Sequence, residues 1–96
     1  MTRIEVRGHW YDVRDAFPGR KGWDEYMEVA RLIPNRVEDL DYDNMTRFFC
    51  LTVLNWDRDG APGHPENWEQ LEALERLMLV KAINETLAAE TPEAKN

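Results

Sequence analysis

An acidic turn rich in Gly and Pro divides the apolar second half of this chain, and it constrains the fold more than any other feature. Asp57–Gly60 supplies turn residues and a glycine that tolerates positive φ. Pro65 suits the first position of a new helix, with His64 or Gly63 at the N-cap. We therefore predict a helix, a tight acidic turn and a second helix over Asn44–Leu87.

The apolar residues on each side of this turn follow a helical period. Before the turn the stripe is Met45, Phe48, Phe49, Thr52, Val53 and Trp56. After the turn it is Trp68, Leu71, Leu74, Leu77, Met78, Leu79, Ile83 and Leu87, with a break allowed near Glu72–Ala73. Upstream, a third stripe follows a loop over residues 17–22 and consists of Trp23, Tyr26, Met27, Ala30 and Ile33. Pro34-Asn35 is expected to end that helix, and Asp41 or Asp43 to cap the next.

The residues of Arg3–Arg14 alternate in the manner of a β-hairpin. With Gly8-His9 as a two-residue turn, Val6 would oppose Tyr11. That register places four apolar side chains on one face: Ile4, Val6, Tyr11 and Val13. A lone hairpin is marginal in water, so it must lie on the helices or pair with another chain through its edge.

These elements predict a small, mainly helical α+β fold, in which an N-terminal β-hairpin packs with three main helices. The 96 residues are enough for a single domain, which we place at residues 1–90, followed by a polar tail at residues 91–96. The net charge of −7 disfavours binding to nucleic acid or to an anionic membrane. Cys50 is the single cysteine, and no apolar run is long enough to span a membrane, so we expect a cytoplasmic protein.

One motif has the spacing of a calcium-binding EF-hand loop. Asn55, Asp57 and Asp59 stand at its first, third and fifth positions, Gly60 at the sixth and Glu66 at the twelfth. Against calcium, Asn replaces the usual first Asp, a proline falls inside the loop, and the chain has no second hand. The same residues are equally good turn formers, so a calcium-responsive switch is kept only as an alternative.

The sequence gives no catalytic pattern, and we expect neither enzymatic activity nor a cofactor. The remaining features are four Trp and four Met residues, which are typical both of a core and of protein-binding surfaces. Since core and interface look alike in sequence, the residues expected on a partner-binding surface are a hypothesis. They are Trp23, Met27, Phe48, Trp68 and Met78.

Several of these segments together resemble the tail assembly chaperones of long-tailed bacteriophages. They are the strand pair ending at Tyr11–Arg14, the helix with Trp23 and Tyr26, the stretch Leu54–Asn67 (LNWDRDGAPGHPEN) and the Leu-rich helix after it. The resemblance covers most of Val6–Leu87, and His64 replaces the Thr that this family often has before Pro-Glu.

The resemblance implies a non-enzymatic role. Such proteins bind the long tape measure protein, help to recruit tail tube subunits, and are absent from the finished virion. It also leads us to expect a homo-oligomer. The alternative within the same setting is a permanent structural protein of the virion, of the head–tail joining type.

Overall fold

The computed structural model describes residues 1–15, 17, 19–31 and 41–90, with side chains as far as Leu87. The tail expected at residues 91–96 and the helix end expected at Pro34-Asn35 lie outside these ranges. The elements, in chain order, are strands β1 (Thr2–Val6) and β2 (His9–Val13), helices α1 (Gly19–Ala30) and α2 (Tyr42–Thr52), strand β3 (Val53–Trp56), a 3₁₀ helix (Pro65–Gln70) and helix α3 (Ala73–Glu90).

The sheet has three antiparallel strands in the order β1-β2-β3, so the predicted fold class is wrong. A hairpin was expected to stand beside the helices as a two-stranded unit. Instead, the segment after α2 adds a third strand to it, and the described chain is an α+β domain built on a three-stranded sheet. This third strand gives the marginal hairpin a partner within its own chain.

Helix α2 ends at Thr52 and does not continue to Trp56 as predicted. Val53 adopts an extended backbone, with φ −93° and ψ 123°, and begins β3. A bulge in the β2–β3 ladder then leaves Val53 and Trp56 buried while the two residues between them are exposed. Buried residues three apart are also typical of a helix. In the sequence, this bulged strand therefore continues the apolar period of α2 and was predicted as part of that helix.

The hairpin turn is Arg7-Gly8, and the predicted turn at Gly8-His9 is wrong. Arg7 has φ 52° and Gly8 has φ 83°, as the two central positions of a type I′ turn require. Val6 therefore opposes His9, and the whole register moves by two residues from the predicted one. A shift of two keeps every side chain on its face, so the four predicted apolar residues still share the inner face.

The helices begin and end close to the sequence signals, with two corrections. Helix α1 begins at Gly19, which places Arg20–Gly22 in the helix and not in the predicted loop. Asp41 caps α2 by accepting a hydrogen bond from the Asn44 N–H at 3.1 Å. The segment starting at Pro65 is a 3₁₀ helix, and the break allowed before Ala73 is present.

The core lies between the inner face of the sheet and the helices. Helix α3 packs on β1, α2 packs on β3, and α1 packs on α2. The largest fully buried apolar side chains of the core are Trp68, Tyr11, Phe48, Phe49, Met45, Leu79 and Ile83. None of the helices in the described ranges is long and apolar enough to cross a membrane.

Candidate protein-binding surface

The loop between β3 and the 3₁₀ helix is held in place by side chains that donate to its backbone. Four consecutive carbonyl oxygens each accept one such bond: Asp59 from Gln70 Nε2 (2.9 Å), Gly60 from Trp56 Nε1 (2.7 Å), Ala61 from Asn67 Nδ2 (2.9 Å) and Pro62 from Trp68 Nε1 (2.8 Å). A Cβ at Gly60, which has φ 82°, would collide with the Asn67 side chain. The stretch that carries the family resemblance is therefore a fixed loop that closes over two tryptophans.

Asp57 joins this loop to the start of β2. Its Oδ1 lies 3.0 Å from His9 Nδ1, and its Oδ2 accepts a hydrogen bond from the Trp10 N–H at 3.3 Å. Burial works to raise the pKa of Asp57, but the hydrogen bonds with His9 and Trp10 outweigh it and hold this pKa below its usual value. Both carboxylate oxygens of Asp57 therefore already have partners within the protein.

The calcium motif lacks the geometry of an EF-hand. Asn55 lies in β3, and its Oδ1 accepts a hydrogen bond from the next backbone N–H at 3.0 Å. The carbonyl of Ala61, at the seventh position that such a loop turns toward its ion, already accepts from a side-chain amide. A strand and a 3₁₀ helix stand where two α-helices were predicted. Within the described ranges, no group of three or more His, Cys, Asp or Glu side chains is placed to hold a metal ion.

The five residues predicted to bind a partner lie in three different environments. Phe48 and Trp68 are fully buried, so they have no surface to offer a partner in this folded state. Trp23 is half-buried against the core. Met27 on α1 and Met78 on α3 are 39% and 42% exposed. The structure therefore assigns the first two to the core and leaves two methionines available at the surface.

The outward face of α3, defined here by Leu74 and Met78, exposes two large apolar side chains. Leu74 is 51% exposed and lies one helical turn from Met78, so both side chains stand on one face. Lys81 and Glu85, also exposed, continue that face toward the helix end. The opposite side of α3 is buried in the core. Two apolar side chains followed by charges are what an amphipathic partner helix can contact.

A nearly buried ion pair fixes the first turn of α3 to the sheet. Arg58 Nη2 lies 2.5 Å from Glu75 Oε2, and the two side chains are only 9% and 14% exposed. Arg58 Nε also donates to the Tyr11 hydroxyl at 3.0 Å. Burial raises the pKa of Tyr11, although the hydrogen bond from Arg58 opposes that shift. This network joins the loop, the sheet and the first turn of α3, so it anchors the turn that carries Leu74.

Arg76, on the inner side of α3, is a fully buried guanidinium. It donates to the Trp68 carbonyl at 2.7 Å and to Thr46 Oγ1 at 3.0 Å, and its Cζ lies 4.4 Å from the centre of the Tyr42 ring. Burial lowers the pKa of Arg76. A hydroxyl, a carbonyl and a ring face contact the guanidinium, while its Nε has no hydrogen-bond partner among the described residues. These contacts tie α3 to α2 and to the 3₁₀ helix.

An open groove of about 380 Å³ lies between α1, α2 and the start of the 3₁₀ helix. Glu25, Arg47, Cys50 and Pro65 are among its lining residues. Burial raises the pKa of the Cys50 thiol, and the negative charge of Glu66 adds to that effect. The thiol is therefore protonated near neutral pH and is a weak nucleophile.

Sequence reasoning missed the two arginine networks. Arg58 lies inside the acidic turn and looks like an exposed turn residue in the sequence. Arg76 lies on a helix whose buried side is otherwise apolar. One signal was available for Arg76, since it stands three residues before Leu79 and seven before Ile83, on the predicted buried stripe. No comparable signal pairs Arg58 with Glu75, because their contact depends on the path of the loop.

The fold and this surface define a small α+β protein with two exposed apolar side chains on the outer side of α3. Comparisons with protein-family models, with curated proteins and with solved structures found no match to this chain.

Proposed function

We propose that this chain is a non-enzymatic protein-binding factor, a tail assembly chaperone of a long-tailed bacteriophage that works in the host cell cytoplasm. It binds the tape measure protein and helps to recruit tail tube subunits. The choice of partner is supported by the resemblance of Leu54–Asn67 and its neighbours to that family.

The observation that carries protein binding is the exposed pair Leu74 and Met78 on α3. Exposed apolar side chains one turn apart on an anchored helix are suited to the apolar stripe of another helix. A tape measure protein is a very long helical chain, and its unassembled apolar stripes are prone to aggregation. A protein can cover such a stripe with an apolar helix face alone, and this role requires no catalytic activity.

The proposal is tested by affinity purification of the tagged chain from infected cells, alongside mass spectrometry of mature particles. We expect one very long helical protein to copurify with the chain, and the chain to be missing from particles. Stoichiometric presence in the particles would overturn the chaperone role and identify a permanent virion protein.

The surface is tested separately with Met78→Asp. This variant should fold as the wild type does and lose capture of the long partner, because a charge then lies in the apolar contact. Leu54→Asp is the matched control, since Leu54 is also exposed (45%) but lies on β3. Equal capture by the Met78 variant and the wild type would exclude the outward face of α3 as the binding surface.

A further inference from the structure

Strand β1 has an unpaired edge. The strand order is β1-β2-β3, and among the described residues no strand pairs with the other side of β1. Its five residues, TRIEV, contain no proline, and its ladder with β2 runs without a bulge from Thr2 to Val6. Such an edge is a template for another strand unless its side chains prevent pairing.

The hairpin geometry identifies the residues whose backbone groups face this edge. The two-residue turn makes Val6 and His9 a hydrogen-bonded pair. Bonded and non-bonded pairs alternate along an antiparallel ladder, so Thr2, Ile4 and Val6 direct their N–H and C=O groups toward β2. The N–H and C=O groups of Arg3 and Glu5 therefore point to the open side.

We propose that the β1 edge pairs, antiparallel and about a two-fold axis at Ile4, with β1 of a second copy of this chain. In this register Arg3 of each copy opposes Glu5 of the other, and the two pairs exchange four backbone hydrogen bonds. Ile4 faces its own equivalent as the non-bonded pair, with its side chain on the inner, apolar face. The two sheets join into one of six strands.

Charge complementarity selects this partner and this register. With the axis at Arg3 or at Glu5, the outward-facing N–H and C=O groups would still form hydrogen bonds. Like charges would then lie opposite each other, which is unfavourable. Only the axis at Ile4 forms two ion pairs across the interface. The side chains of Arg3 and Glu5 are exposed, and Arg3 keeps its bond to Asp12 of its own chain at 2.8 Å. The pairing does not depend on which phage protein the chain binds.

The first test is the molar mass of the wild-type chain in solution, measured by light scattering after size exclusion at concentrations up to roughly 1 mM, because one strand edge makes a small interface. We expect a dimer, or an assembly built from dimers. A monomer at the highest concentration would overturn the proposal.

Two substitutions at Glu5 then test the register and the backbone pairing. Glu5→Arg places cationic side chains at positions 3 and 5 of both copies, so four cations lie next to the axis. It should weaken association by about tenfold or more. Glu5→Pro removes an N–H that faces the open edge while leaving every β1–β2 bond, so it should fold and remain a monomer. Glu28→Arg, an exposed position on α1, makes the same change in net charge and should associate as the wild type does.

Circular dichroism and thermal unfolding show whether each variant is folded, and hydrogen exchange should show protected Arg3 and Glu5 amides in the wild-type dimer. Dissociation in both Glu5 variants, with association intact in Glu28→Arg, supports the paired edge. Association unchanged in Glu5→Pro would overturn it. Dissociation in Glu5→Pro alone would contradict the charge-selected register, and dissociation in Glu28→Arg would assign the effect to net charge.

Discussion

Trp68 and Met78 were both expected at a protein-binding surface, and the structure places them in opposite settings. Trp68 is fully buried, with ring centroids of Phe49 and Trp56 at 4.5 and 4.4 Å and its N–H bonded to the Pro62 carbonyl. Met78 is 42% exposed on the outer side of α3. The difference shows that Trp68 holds the loop and core together, whereas Met78 is free to contact another protein.

The largest loss of stability is expected from Trp68→Ala. The substitution leaves a cavity among aromatic rings and removes the donor that holds the Pro62 carbonyl, so it should lower the free energy of unfolding by about 3–5 kcal/mol. Urea denaturation measures the change. Leu54→Ala, at an exposed position, should stay within about 0.5 kcal/mol of the wild type. Equal losses in the two variants would contradict the central role of Trp68.

Removing the buried guanidinium at Arg76 is the next largest change. Arg76→Ala removes one hydrogen bond each from the Trp68 carbonyl, which keeps the Leu71 N–H at 3.2 Å, and from the Thr46 hydroxyl. It also opens a cavity, so we expect the free energy of unfolding to fall by about 2–3 kcal/mol. Arg47→Ala is the control, because Arg47 is exposed on α2. If thermal unfolding is unchanged in Arg76→Ala, the guanidinium does not tie α3 to the core.

A smaller, pH-dependent effect is expected on the outer face of the sheet. Hydrogen bonds from Arg3 lower the pKa of Asp12, whose side chain is almost fully covered. A carboxylate with a depressed pKa stabilises the fold above its unfolded pKa, about 4, and this contribution is lost as the pH falls through the lower folded value. Asp12→Asn should therefore unfold with a flatter dependence on pH in the acid range.

Arg3→Met provides the matching test, because it removes the guanidinium and leaves the carboxylate. It should flatten the same part of the curve of unfolding free energy against pH. An unchanged slope in both variants would mean that Arg3 and Asp12 contribute nothing to acid stability.

The sequence predicted those parts of the fold in which one local pattern was sufficient. Alternation identified the inner face of the hairpin. Asp41, one of two predicted caps, and Pro65 marked where helical segments begin. Pattern failed at Val53–Trp56, since a bulged strand buried at every third residue looks like one turn of helix. It also missed the turn, because an arginine with positive φ at position 7 is not a residue that turn preferences favour.

The candidate site could be predicted only in part. Met27 and Met78 were chosen for their residue type and are exposed, while Phe48 and Trp68 were chosen on the same ground and are buried. Burial of an apolar side chain depends on which elements pack over it, and one helical stripe does not specify that. The open β1 edge was recognisable as a hairpin edge, but its register required the observed turn.

The smallest change in stability is expected for a substitution at Met78. The separate roles of Met78 and Trp68 are tested most directly by measuring stability and partner binding in the same variants. Met78→Asp and Trp68→Asp are compared with the wild type for thermal unfolding and for capture of the long partner from infected cells. We predict that Met78→Asp unfolds within about 0.5 kcal/mol of the wild type and loses capture, whereas Trp68→Asp fails to fold. A folded Met78→Asp variant that captures the partner as well as the wild type would contradict the account.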